Sequence, residues 1–338
     1  MKEPGGIRLP ETAAVLAVRR GVREWVVAQG GRRPVVVGLS GGADSLALVA
    51  AAVVEAGEVT AVVVDHRLQD GSAEVAERAA ERALALGCAA AVVVPVEVGR
   101  EGGVEAAARA ARYEALESVR AGRPVLLGHT LDDQAETVLL GLARGSGGRS
   151  IQGMVAWKPP WGRPLLGVRR AQTVRMCADL EIEPWDDPHN ADLRYTRVRV
   201  RNEVLPLLEQ VLGGGVAKAL VRTADQLRED GAVLDVYADE LLRTARSHGS
   251  GTGDNDRPTV SIEILATAPP ALRRRAVRAW LADQGVTGLM NAHLQAIDEL
   301  VSNWRGQGGV AVGGGPRGHR LVVTREHGTL AVRAQPRI

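Results

Sequence analysis

Apolar residues in the first half of the chain come in short unbroken runs, set between longer segments of helical rhythm. Residues 35–37, Val59–Asp65, residues 89–98 and residues 125–129 have the length and aliphatic character of strands buried on both faces. Between them lie an Ala/Leu/Val segment ending at Ala56, a segment opened by Ser72 as an N-cap and stopped by Gly87, another from Val104 to Val119, and a fourth over residues 131–144. Strands alternating with helices of this length predict βαβ units and a parallel sheet with helices on both faces. The expected class is α/β, doubly wound. Residues 11–30 carry a helical stripe (Val15, Val18, Val22, Trp25, Val26) and predict a helix packed before the sheet begins.

Past Gly145-Ser146-Gly147-Gly148 the rhythm changes. Residues 153–163, with Trp157, Trp161, Pro159 and Pro160, predict a long loop, residues 172–180 a short helix, and residues 186–195 an irregular segment. Arg197, Arg199 and Arg201 alternate with valines, which places all three on one side of an extended stretch. A helix is expected at 204–212, and Gly213-Gly214-Gly215 is a natural hinge. The domains are therefore drawn at 1–212 and 216–338, the second smaller and mainly helical. Within it, residues 216–246 predict one helical tract and 247–256 a flexible loop. Residues 260–338 predict a mixed α+β piece, with helices at 271–281 and 292–304 and strands at 321–324 and 329–332.

Composition narrows the picture modestly. At 338 residues, 45% of them hydrophobic, the chain can build a substantial core. No apolar run reaches membrane-spanning length, and MKEPGGIRLP lacks a signal-peptide core, so a cytoplasmic protein is expected. The two cysteines, Cys88 and Cys177, are isolated, which speaks against a structural zinc site or an iron–sulfur cluster. Residues 1–150 hold 17 basic and 19 acidic side chains, and residues 151–338 hold 25 and 21, so the second part is slightly basic. Arginine outnumbers lysine 39 to three, a residue choice that suits bidentate phosphate contact and also follows from a GC-rich genome.

The chemistry concentrates where strands end. After the first strand comes Ser40-Gly41-Gly42-Ala43-Asp44-Ser45, then a helix. Strand, glycine turn and helix bind phosphate, because the first helical N–H groups lack partners, the helix dipole is positive there, and glycine lets an anion approach the backbone. Ser40 and Ser45 add hydroxyls, and Asp44 is a carboxylate able to hold a metal ion. The turn is neither a Walker loop nor a G-x-G-x-x-G dinucleotide turn. Gly38-Leu39-Ser40-Gly41-Gly42 also satisfies the nucleophile-elbow pattern, leaving open a serine hydrolase with Ser40 as nucleophile. A second constellation is Gly128-His129-Thr130-Leu131-Asp132-Asp133-Gln134-Ala135-Glu136-Thr137. Its three acids fall in a first helical turn, where Asp133 and Glu136 share a face. With Asp44 across the sheet end, Asp132 or Asp133 could bind Mg²⁺ against a substrate phosphate. His66 and His129 stand at strand ends, as nucleotide contacts or simply as packed rings. Arg109 and Arg112, three apart on one helix, suit phosphate or RNA, or a salt-bridged surface.

Taken together these stretches resemble the tRNA(Ile)-lysidine synthetases of the ATP-pyrophosphatase (PP-loop) superfamily. The likeness runs through SGGADS, VDHRL, the helix over residues 105–113, GHTLDDQAETVLLGLARGSG, Arg163-Pro164-Leu165-Leu166 and DDPHNADLRYTRVRVRNEVLPLL, covering residues 34–210 in the family's order, with a weaker match over 260–315. Around Arg197 the arginines depart from the family's R-N-x-I-R. The resemblance implies a Rossmann-like PP-loop fold and an ATP- and Mg²⁺-dependent ligase. ATP would adenylate the C2 oxygen of the wobble cytidine in tRNA(Ile) bearing a CAU anticodon, and free L-lysine would then displace AMP to give lysidine. It implies that residues 40–45 hold pyrophosphate, with His66 and His129 near the adenosine, and that Asp44 and Asp133 hold Mg²⁺. Asp44, Asp132, Asp133 and Arg112 would serve catalysis, and Arg109, Arg197, Arg199 and Arg201 would meet RNA, with Arg273, Arg274, Arg275 and Arg278 as further candidates. Other enzymes of the superfamily, a tRNA thiolase or an amide-forming synthetase, remain alternatives. A thiolase needs a reactive cysteine or a cluster, which two isolated cysteines supply poorly.

Overall fold

The computed structural model describes residues 8–67, 71–99, 103–145, 147–187, 192–248, 258–316 and 318–336. They form two compact units, one of residues up to Leu140 together with Gly153–Arg222, the other of Gly141–Gln152 together with Thr223 onward. The long helix α9 described below passes from the first unit into the second.

In the first unit α1 (Ala13–Ala28) leads to β1 (Val35–Leu39), α2 (Ala43–Glu55), β2 (Val59–Asp65), α3 (Ser72–Ala85), β3 (Ala90–Pro95), α4 (Val104–Val119), β4 (Val125–Leu126) and α5 (Leu131–Ala143). The sheet order is β3-β2-β1-β4-β6-β5, with β3, β2, β1, β4 and β6 parallel and β5 antiparallel at the edge. Alternation along β1 builds both faces. Val35, Val37 and Leu39 join a core with residues of α1, α2 and α3, while Val36 packs with Leu116 of α4 and Leu127 on the other side. The doubly wound expectation holds.

Three local expectations change. α3 is capped by Gly71 (φ 76°) rather than Ser72, since a left-handed residue there suits glycine. Residues 153–163 are not a bare loop. They form the hairpin β5 (Trp157–Lys158) and β6 (Trp161–Gly162) around the cis peptide Pro159-Pro160, and β6 pairs with β4. Strands of two residues carry no periodicity to read. The segment of alternating arginines is helical. α7 (Thr196–Arg199) passes through a π-helical turn (Val200–Val204) into α8 (Leu205–Val211), after α6 (Arg170–Asp179). The expected loop at 247–256 lies almost wholly outside the described residues.

α9 (Val216–Ser247) follows the triple glycine. The second unit continues with β7 (Val260–Ser261), α10 (Ile262–Ala266), α11 (Pro270–Asp283), α12 (Asn291–Ser302), β8 (Val310–Val312), β9 (His319–Glu326) and β10 (Thr329–Pro336). Its antiparallel sheet, β7-β10-β9-β8, is larger than the two strands expected. The core here is separate, built on Trp280, Leu281, Ile297 and Leu300, with the Trp280 indole N–H donating to the Pro258 carbonyl at 3.1 Å. Among the described residues no single helix is long and apolar enough to cross a membrane.

Candidate active site

The turn from β1 into α2 has the form that anion binding requires. Gly41 holds φ +81°, and Gly42 is the N-cap of α2 without a side-chain cap bond, so the helix N-terminus stays uncovered by its own side chains. Ser45 organises the turn. Its hydroxyl donates to the Gly42 carbonyl at 2.9 Å, accepts the Ser40 N–H at 3.2 Å and lies 3.2 Å from the Ser40 hydroxyl. From outside, the Trp185 N–H donates to the Gly41 carbonyl at 2.9 Å. Gly128, just past β4, lies so close that a Cβ on it would stand 3.0 Å from the Asp44 carbonyl oxygen.

Beside the turn, three acids meet two arginines. Arg170, at the first position of α6, donates from Nε to Asp44 Oδ2 at 3.0 Å and from Nη2 to Asp133 Oδ1 at 2.8 Å, with Nη1 3.6 Å from Glu136 Oε1. Arg201, in the π-helical turn, grips Glu136 with Nε at 2.7 Å and Nη2 at 3.1 Å, and reaches Asp133 Oδ1 at 3.2 Å. Glu136 is fully buried. Its carboxyl is pushed up by burial, against the pull of Arg201. Burial also raises Asp44, with Arg170 and the Thr173 hydroxyl offsetting only part. Asp133 differs. Burial pushes it up as well, but Arg170 and the Thr130 N–H and hydroxyl, each 2.8 Å away, more than compensate and hold it below the usual range.

Lone pairs distinguish the two carboxylates expected to hold Mg²⁺. A carboxylate offers about four acceptor sites. Those of Asp133 are filled, two by Thr130 and one each by Arg170 and Arg201. Asp44 has one described protein donor on each oxygen, Thr173 and Arg170, and its side chain is 21% exposed. A hard cation with substrate oxygens therefore fits at Asp44, and fits at Asp133 only if an arginine leaves. Asp132, expected in catalysis, is otherwise employed. It accepts the backbone N–H of Arg170 at 2.7 Å and the Arg169 guanidinium at 3.1 Å and 3.2 Å, fixing the start of α6.

Beyond the ends of β2 and β4, both ring nitrogens of His66 and Nδ1 of His129 are shielded from solvent and have no hydrogen-bond partner among the described residues. Burial pulls both imidazoles down, His129 to about 4, so both rings are neutral near pH 7. On α4, Arg109 lies 5.0 Å over the Tyr113 ring and donates to its hydroxyl at 3.1 Å, and Tyr113 meets Trp161 edge-on at 4.5 Å. Arg112 is exposed on the same helix.

The PP-loop domain family matches residues 17–208, and the TilS substrate binding domain matches residues 261–331. The chain is 61% identical to the tRNA(Ile)-lysidine synthase of Rhodococcus erythropolis over 95% of its own length and 96% of that protein's. For the enzyme of Nocardia farcinica the figures are 63%, 95% and 98%, and for that of Mycobacterium tuberculosis 56%, 89% and 91%. The chain belongs to the tRNA(Ile)-lysidine synthase family. Among solved structures, the U34-tRNA thiolase NcsA from Methanococcus maripaludis superposes with a TM-score of 0.50 at 18% identity, over 64% of this chain and 79% of that one, and shares the fold.

For a lysidine synthase chain the hydrolase alternative has no geometry behind it. The Ser40 hydroxyl pairs with Ser45, and neither His66 nor His129 Nδ1 bonds any described residue. Cys88 and Cys177 are buried, with thiols pushed up by burial to about 12 and about 11, unlike a thiolase nucleophile. The arginine expectations need sorting. Arg197 and Arg201 turn to one side, where Arg197 Nε is 3.9 Å from Glu136, while Arg199 pairs with exposed Glu203 at 3.0 Å, as a helix dictates and an extended strand does not. Arg201 is bound to carboxylates rather than presented to a ligand. The same holds for Arg273, buried against Asp298 at 2.5 Å. Sequence reasoning missed Arg170 and its neighbour Arg169. The available signal was an arginine pair opening a helix close behind Leu165-Leu166.

Proposed function

We propose that this chain ligates free L-lysine to the C2 atom of the wobble cytidine of tRNA(Ile) at the expense of ATP, releasing pyrophosphate and then AMP. The carrying observation is the uncovered α2 N-terminus behind Gly41, flanked by Ser40, Ser45 and an Asp44 with free lone pairs. The backbone N–H groups of that turn and the two serines hold the β and γ phosphates, so pyrophosphate is bound where charge develops as it leaves. Asp44 would hold Mg²⁺ with phosphate oxygens, and that ion would supply charge neutralisation at the departing group. The unpaired nitrogens of His66 and His129 take the adenosine side. As neutral rings they accept or donate hydrogen bonds and take no net proton from the reaction.

Arg170 leans across Asp44 and Asp133 from the start of α6, and Asp132 fixes where that helix begins. Arg170 and the Thr173 hydroxyl fix the orientation of the Asp44 carboxylate. In the first step a C2–O oxygen–phosphorus bond forms to the α phosphate as the α–β bond breaks. In the second, an amine of lysine bonds to C2, loses its proton, and the C2–O bond breaks to release AMP. Arg112 and Arg109, three apart on α4, would meet the phosphate or RNA that these steps require.

The test uses ATP labelled on the α phosphate, with unmodified tRNA(Ile) transcript and lysine. The expected products are labelled AMP and unlabelled pyrophosphate, with lysine incorporated into tRNA one for one. Production of ADP, or AMP release indifferent to tRNA, would sink the proposal.

A further inference from the structure

The second unit has an arginine cluster of a different kind. α11 places Arg275 and Arg278 three residues apart on one face, and the short 3₁₀ turn Gly148–Ile151 brings Arg149 beside them. Arg149 Nη2 and Arg275 Nη1 both stand 2.6 Å from the same oxygen, Oδ1 of Asp235. Arg278 has no acidic partner among the described residues. Burial and the neighbouring charges of Arg149 and Arg275 pull its pKa down, the mark of a guanidinium without a counter-charge. Two of these three cations thus share one carboxylate, and the third has none among the described residues.

A pocket of 340 Å³ opens at this surplus, lined by Arg149, Arg278, Ala279, Ala282, Val286 and Leu289. Two of the lining side chains are arginines and the rest are aliphatic. That is the polarity of a nucleotide residue, with a charged phosphodiester and a flat body of low charge, and the volume is at the lower end of about 300–1,000 Å³ typical of small-ligand sites. Inorganic phosphate would leave the aliphatic wall unused, and an apolar ligand would leave the cations uncompensated. Two of the four arginines singled out in residues 273–278 do not serve here. Arg273 is consumed by Asp298, and Arg274 turns to the Pro270 carbonyl at 3.2 Å.

We propose that this pocket seats one nucleotide of the tRNA substrate, its phosphodiester on Arg149 and Arg278 and its sugar and base on Ala279, Ala282, Val286 and Leu289. The assignment rests on the tRNA reading above. Residue 149 lies outside the matched substrate binding domain, so the subsite draws on two separate stretches of the chain.

The experiment is fluorescence anisotropy of end-labelled tRNA(Ile) transcript with the full chain, from about 50 to 200 mM salt. Arg278→Met keeps the aliphatic stem and removes the charge. It should weaken tRNA binding by about tenfold and lower the log–log salt slope by about one. Arg278→Lys should retain the slope, and Arg274→Met should bind within twofold of the unaltered chain. Melting curves of each variant, matching the unaltered protein, separate loss of contact from loss of fold. Wild-type affinity and slope in Arg278→Met overturn the proposal, and so does an equal loss in Arg274→Met. A variant that keeps tRNA but loses ATP or AMP binding makes the pocket a free-nucleotide site instead. If the unaltered chain binds ATP but no tRNA, the functional reading itself fails and the subsite falls with it.

Discussion

Two arginine clusters, one in each unit, use the same side chain to opposite ends. Around Arg170 and Arg201, three buried or half-buried carboxylates absorb two guanidiniums, with the lone pairs of Asp133 filled by protein and Glu136 gripped at both oxygens by Arg201. Around Arg278, Arg149 and Arg275 share Asp235, and Arg278 itself has no acidic partner among the described residues. In the first cluster both guanidiniums are met by carboxylates, and their ion pairs hold helix α6, the π-helical turn and the first turn of α5 in one arrangement. The second carries a charge that no acid among the described residues meets. Counting arginines does not separate these roles. Counting the acids within reach of them does.

The comparison breaks most sharply at Arg170. Arg170→Ala should destabilise the fold by about 3–5 kcal/mol, because Asp44, Asp133 and Glu136 lose the cation they share. Chemical denaturation read by circular dichroism measures this, and a loss under 1 kcal/mol would deny the cluster its structural role. Arg278→Met, by contrast, should unfold within about 0.5 kcal/mol of the unaltered chain. Next comes Asp44→Asn, which keeps the shape but weakens the hold on a cation. Pyrophosphate release should fall by about 10²–10³-fold with little change in melting temperature, followed by a coupled pyrophosphate assay.

A gentler probe is pH. The folded chain holds His129 at about 4 against 6.5 for the free ring, so the unfolded chain takes up the proton first. The stability this ring contributes is whole above about pH 6.5 and erodes as pH falls toward 4. Nuclear magnetic resonance titration should show its ring carbon shifts flat from pH 6 to 8, and a midpoint near 6.5 would contradict the buried, neutral ring. Smallest of all, Arg199→Ala removes only an exposed pair with Glu203 and should cost no more than about 0.5 kcal/mol by the same denaturation measurement.

Much of the first unit was legible because its information is local. Val35, Val36 and Val37 announce a buried strand, the glycines after Ser40 announce the turn, and the acids at 132, 133 and 136 announce a helix start. What escaped was long-range or too short to have a period. Arg170 finds Asp44 across 126 positions, and nothing within one turn of either residue signals the other. Arg197-Val198-Arg199-Val200-Arg201 reads as a strand by its period of two. Helical spacing prevails because it delivers Arg197 and Arg201 together to Glu136, an interaction invisible in the alternation. The role given to Asp132 was legible only as an acid at a helix start. That it accepts from the first N–H of a different helix, 38 positions on, is a long-range contact with no local signal.

Gly128 sets a limit on redesign. With 3.0 Å between its would-be methyl and the peptide oxygen of Asp44, the exit of one strand and the first turn of the neighbouring helix leave no room for a side chain without a shift. The nucleotide seat cannot be widened or retuned from that wall, since even an alanine would shove the helix that frames it. Libraries seeking a different triphosphate preference should leave position 128 untouched and vary Trp185, which meets the turn only from outside, through its backbone N–H on the Gly41 carbonyl.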